Sequence, residues 1–128
     1  MKFVYIAGPY SAKSDDWRSY FEIDANIRAA EEVAAELANA GVGFFCPHTH
    51  SAHFEVFARG TYAKFWYELD MRFLEACDAI LMLPRWIDSV GSKAEYEQAI
   101  KLRMPIFFSP AEAIAWSAEA IAWSKVAQ

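Results

Sequence analysis

Cysteine is scarce: the chain has two, Cys46 and Cys77. Each lies in an apolar stretch, which argues against a disulfide scaffold and for buried small hydrophobes in a reducing compartment. Positive charge is also short. Lys and Arg number 12 against 17 Asp and Glu, a formal net charge of −5, and no Lys/Arg cluster occurs. That argues against a grip on duplex nucleic acid through its phosphates. No apolar run approaches the ~18 residues of a membrane helix. The opening residues 1–8 form too short an apolar run, too soon broken, for a signal peptide. A cytoplasmic protein is the expectation. Disorder is excluded by composition, with 55% hydrophobic and 23% charged residues.

The length of 128 residues is that of a single domain, 1–128, large enough to bury a core without staples. Aromatics reach 16%, with five Trp. That is more flat apolar surface than a core of this size needs, so part of it is expected to line a pocket or a subunit contact.

Periodicity alternates along the chain. Residues 2–7 and 42–46 are apolar on both parities, as strands buried on both faces are. Residues 24–40 carry Ile27, Ala30, Val33, Ala34 and Leu37 at helical spacing, and Gly41 follows as a C-cap. Further helices are predicted over 62–77 and 92–103, and further strands over 79–83 and 105–108. A polar-aromatic loop between them holds His48, His50 and His53. The expected architecture is α/β: a three-layer, flavodoxin-like parallel sheet of four to five strands in order 2-1-3-4, with flanking helices. Ligands of such sheets sit beyond the carboxyl ends of the strands, near the switch point. Three segments should meet there: 8–11, 48–53 and 86–92.

The tail repeats itself. Ala111-Glu-Ala-Ile-Ala-Trp-Ser117 recurs as residues 118–124, predicting a helix over about 110–126. At 100° per residue Ile114, Ala118 and Ile121 share one face, with Trp116 and Trp123 nearly opposite. The expectation is one face on the sheet and the Trp face on a second subunit, in a homodimer or higher homo-oligomer.

Two carboxylates suggest chemistry. Glu95 stands in Ser89-Val-Gly-Ser-Lys-Ala-Glu95, opening a helix whose dipole favours an ionised acid that can attack a sugar anomeric carbon. The same residues also read as a capping box, Ser92-x-x-Glu95, which needs no function. Asp70 is expected near the start of its own helix at the same sheet edge. There it can act as proton donor to a Glu95 nucleophile, or be an ordinary helix acid. His48-Thr-His50 with His53 has no recognised zinc spacing, neither Cys is near, and only Glu55 offers a local fourth ligand. No metal and no cofactor are therefore expected, and His48 or His50 should hydrogen-bond a base or hydroxyl. Gly8-Pro9-Tyr10-Ser11 is neither a dinucleotide fingerprint nor a P-loop. It implies only a tight turn that approaches a ligand.

Taken together, Tyr5-Ile-Ala-Gly-Pro-Tyr-Ser11, Cys46-Pro-His-Thr-His50, the stretch 70–78 and Trp86-x-x-Ser-x-Gly-x-x-x-Glu95 resemble the nucleoside 2-deoxyribosyltransferase-like superfamily. The likeness is to its small uncharacterised bacterial and phage branch and to the 2'-deoxynucleoside 5'-monophosphate N-glycosidases, and it spans residues 3–108. The resemblance implies that Glu95 is the nucleophile, Asp70 the acid that assists departure of the base, and Tyr5 the residue that orients the nucleophile. It places Ser89 where the monophosphate hydrolases contact a 5'-phosphate. The substrate pocket is expected where the three segments meet, from Gly8, Pro9, Tyr10, Ser11, His48, His50, Trp86, Ser89 and Gly91. Ser11 stands where those hydrolases carry an Arg, leaving Lys13 or Arg18 to supply the charge. The partner implied is a small nucleoside or nucleotide. The alternatives are a non-catalytic nucleotide sensor of the same fold and a purely structural oligomer.

Overall fold

The computed structural model describes residues 1–127, including the side chains of residues 1–120 and 122. Four strands, β1 (Phe3–Ala7), β2 (Gly43–Phe45), β3 (Ala79–Met82) and β4 (Ile106–Phe107), form one all-parallel sheet in the order β2-β1-β3-β4. The helices are α1 (Arg18–Asn39), α2 (Pro47–His50), α3 (Phe54–Phe57), α4 (Ala63–Glu75), α5 (Val90–Lys101) and α6 (Pro110–Ala127), with a 3-10 turn at Trp86–Asp88. None is long and apolar enough to cross a membrane, among the described residues.

Strand parity explains the layers. Val4, Ile6, Ala79 and Leu81 face one way and join Ala30, Ala34 and Leu37 of α1 and Ala113 of α6. Tyr5, Ala7, Ile80 and Met82 face the other way and join Met71 and Leu74 of α4 and Ala99 of α5. Both faces of β1 and β3 are thus covered, which is why those strands are apolar throughout. The expected three-layer α/β fold and its 2-1-3-4 order are what the chain adopts.

Three local readings are corrected. Helix α1 starts six residues earlier than the periodicity suggested. Asp16 accepts from the Arg18 amide at 3.0 Å and supports the first turn, while the exposed Trp17, Tyr20 and Phe21 blur the apolar stripe. The loop of histidines carries two single-turn helices, α2 and α3. Asp70 is the eighth of thirteen residues in α4, mid-helix rather than near its start.

The tail helix departs from its expected orientation at Trp116. Among the described side chains Ala113 and Ser117 are buried, Ile114 packs half-buried against the core as expected, and Trp116 is half-buried against the same core with its ring 5.5 Å from that of Phe107. The small side chains of Ala113 and Ser117 let the helix approach the sheet closely, and that choice of face carries Trp116 inward with them. Ile121 and Trp123 lie outside the described side chains. Trp116→Ser is therefore expected to cost about 2 kcal/mol of folding stability, as half of a large core ring is lost. A urea titration with an unchanged midpoint would contradict this packing. The large rings that do face solvent include Trp17 at 74% and Tyr62 at 79% exposure.

Candidate active site

The carboxyl ends of β1 and β3 open into a cavity of about 410 Å³, within the range that holds small ligands. Gly8, Tyr10 and Ser11 reach it from the turn after β1, and His48 from α2. Asp70 comes from α4, and Ser89, Gly91 and Glu95 from the start of α5. The expected convergence of three loops is present.

The beginning of α5 decides how Glu95 is to be read. Its N-cap is Ser89, whose Oγ accepts from the Ser92 amide at 3.2 Å. Ser92 is already inside the helix, so the Ser92-x-x-Glu95 capping box does not form. Glu95 is released from any capping role. It is nine-tenths buried and accepts a hydrogen bond from Tyr5 Oη, reaching across from the middle of β1. A buried carboxylate held this way costs desolvation that only a partner offsets. Burial pushes the Glu95 carboxyl up to about 8, and the nearby Asp70 charge adds to this while the Tyr5 hydroxyl opposes it. Burial likewise raises Asp70 to about 6. Here the helix dipole loses: it was expected to keep Glu95 ionised, but desolvation outweighs it. Tyr5 itself is fully buried, with its hydroxyl kept protonated by burial and the adjoining Glu95 charge. It stands behind Glu95 and is not part of the cavity lining.

His48 is 3% exposed and its Nε2–H donates to the Pro9 carbonyl at 2.8 Å. That carbonyl can only accept, so Nε2 carries a proton, and burial lowers the pKa of the ring. Its Nδ1 and the Ser92 Oγ are buried without a partner among the described residues.

Three members of the expected pocket fall outside it. His50 is exposed and packs against Phe45 and Phe73, with 5.3 Å between centroids in each pair. It sits on the far side of its single-turn helix from His48, because residues two apart on a helix do not share a face. Trp86 packs on Tyr96, 4.6 Å between centroids, and caps the second core cluster. Pro9 lines an adjoining cavity of about 470 Å³ that shares Tyr10, Ser11, Ser89 and Gly91 with the first. Lys13 and Arg85 line that second cavity, together with Glu22 and Asp88. Arg18 does not; it pairs with Asp16 at the surface.

Sequence reasoning missed the wall opposite α5, made by Ser51, Phe54 and Glu55 with Trp66 and Tyr67 of α4. The signal was the aromatic excess, which gave no positions. The three histidines part company, and no group of three or more His, Cys, Asp or Glu is placed to hold a metal, among the described residues.

Residues 2–110 match the profile of a family described as a domain of unknown function, DUF1937. The chain belongs to this family. A search of curated proteins found no match. Among solved structures the fold is similar to a 2-deoxyribosyltransferase from the psychrotolerant bacterium Bacillus psychrosaccharolyticus. The TM-score is 0.57 at 21% identity, over 84% of this chain and 72% of that one. That likeness establishes a shared fold, the one expected of the superfamily that the DUF1937 chain resembles in sequence.

Proposed function

We propose that the protein cleaves the N-glycosidic bond of a nucleoside 5'-monophosphate or (deoxy)nucleoside, with Glu95 as nucleophile and Asp70 as acid. The observation that carries this reading is the buried Tyr5–Glu95 hydrogen bond at the cavity floor, with Asp70 on the facing helix. In the first step a Glu95 oxygen bonds to C1' as the bond from C1' to the base nitrogen breaks. Asp70 gives its proton to the departing base. In the second, water or another base attacks C1', its proton passes to Asp70, and Glu95 is freed as a carboxylate. The configuration at C1' is retained. Tyr5 fixes the carboxylate and stays neutral throughout.

Support for a phosphorylated substrate comes from the resemblance at Ser89. A 5'-phosphate resting at Ser89 and Gly91 would share the adjoining cavity with Lys13 and Arg85, whose charges Glu22 and Asp88 offset there. For assembly we propose a homodimer or higher homo-oligomer, supported by the exposed rings of Phe57 and Tyr62 rather than by Trp116. Light scattering that finds a monomer would overturn it.

The test is incubation with a panel of nucleosides and nucleotides, following free base by chromatography. No base released from any member would refute the reading. The pH profile is a second check. The Glu95–Asp70 pair carries one proton between about 6 and about 8. In the major singly protonated form the proton rests on Glu95. The reaction proceeds from the form with that proton on Asp70, which has the same total charge and therefore the same pH dependence. So kcat/KM should rise with pH through about 6 and fall above about 8. A profile flat across that interval would exclude the pair as the acid and nucleophile.

A further inference from the structure

His53 has both ring nitrogens committed to acids. Its Nε2 lies 3.0 Å from Asp24 Oδ1 on α1, and its Nδ1 lies 3.1 Å from Glu55 Oε1 on α3. A neutral imidazole has one N–H and would set its lone pair against a carboxylate, so only the imidazolium satisfies both contacts. The ring is stacked on Tyr20, 4.1 Å between centroids at 10°, and its side chain is 13% exposed. Its backbone is left-handed, with φ of 59°. The same group is tied from a third side. Its amide donates to Tyr10 Oη at 3.0 Å, and Tyr10 Oη donates to Glu55 Oε2 at 2.6 Å. Arg28, at 3.7 Å from the second oxygen of Asp24, is the cation beside the cluster. Asp24, Arg28 and Tyr20 of α1, Glu55 of α3 and Tyr10 are thus the titratable groups around this ring.

Glu55 and Tyr10 both line the cavity. Each Glu55 oxygen has accepted one hydrogen bond and keeps capacity for another. We propose that His53, as the imidazolium, is the positioning residue that holds Glu55 and Tyr10 in the cavity wall, where Glu55 accepts from hydroxyl groups of the ligand. This rests on the preceding reading only in taking the cavity as the ligand site. The sign of the pH dependence follows from the partners. Asp24 first, and then Glu55, raise the His53 pKa above its ordinary 6.5. The clamp is therefore complete below that ordinary value and is lost as pH rises through the raised one.

The test follows amide hydrogen exchange over residues 51–57, corrected for the intrinsic pH dependence of exchange. Protection should fall about tenfold or more between about pH 6 and about pH 9 in the unmodified protein. It should be low at both in His53→Asn, a residue that tolerates the left-handed backbone. By NMR, Asp24→Asn should return the His53 pKa towards its ordinary value. Protection independent of pH, or a His53 that titrates at its ordinary value, would overturn the proposal. If His53→Asn does not fold, the unmodified protein and Asp24→Asn decide alone. With a nucleotide cleaved in the base-release panel, His53→Asn should raise KM and spare kcat, and add little on a Glu55→Gln background. Full additivity of the two changes would also overturn it. Should the panel yield no substrate, the reading of the reaction fails while the exchange experiment still decides the clamp.

Discussion

Glu95→Gln is expected to lower base release by about 10⁴-fold or more, the scale on which loss of a nucleophile is felt. The substitution is informative because it changes so little else. Ser89, not Glu95, caps α5, so the helix keeps its start. A glutamine oxygen can still accept from Tyr5 Oη, so the buried contact that joins α5 to β1 is kept. The variant should also be at least as stable as the parent in alkaline solution. Because the Glu95 carboxyl is raised to about 8, its favourable contribution is lost as pH climbs through that value, and neutral Gln escapes the loss. Turnover near that of the unmodified protein would remove Glu95 from the chemistry. Lost turnover with a lowered melting temperature above pH 8 would instead mark it as structural.

Gly8→Ala should unfold the protein at markedly lower temperature. A Cβ at Gly8 would stand 2.6 Å from Leu83 Cδ1 and 2.7 Å from Leu83 Cβ. The second of these atoms cannot swing away, because it is fixed to the end of β3, where the Leu83 amide donates to Ala7 O at 2.8 Å. Either the strand ends part or the side chain leaves its place in the core. Overpacking of this kind costs about 2–3 kcal/mol, or roughly 10 °C in melting temperature for a chain of this length. Leu83→Ala in the same chain should recover little of the loss, because it keeps the clashing Cβ and makes a cavity by itself. A melting temperature unchanged by Gly8→Ala would mean that the two strand ends have slack. The glycine was read in the sequence as a turn that nears a ligand; its tighter constraint is the neighbouring strand.

Some of the site was legible because its cause is local. Gly8, Tyr10 and Ser11 follow a strand and Ser89 and Gly91 open a helix. In a parallel sheet both such segments must emerge at the same edge. His50 and Trp86 were placed in the pocket by the same logic and are not there. Edge position constrains the backbone, whereas the direction of a side chain within a one-turn helix or a 3-10 turn is set by what it packs on. Glu55 and His53 show the converse. Neither spacing nor composition joins Glu55 to Tyr10 or His53 to Asp24; the fold brings these pairs together from 45 and 29 residues apart.

The sequence by itself determined the layer order, the strand partners and the edge where Glu95 and Asp70 meet. Hydrophobic periodicity and the handedness of crossovers leave little choice there. Tertiary structure decided the rest. It chose which serine caps α5, which face of α6 meets the sheet, and how far burial rather than the helix dipole governs the Glu95 proton. Each of these turns on competition between contacts of similar energy, such as Trp116 packed against Phe107 or left to solvent, or one serine against another three residues on. Such contests are settled by the partners that the rest of the chain delivers.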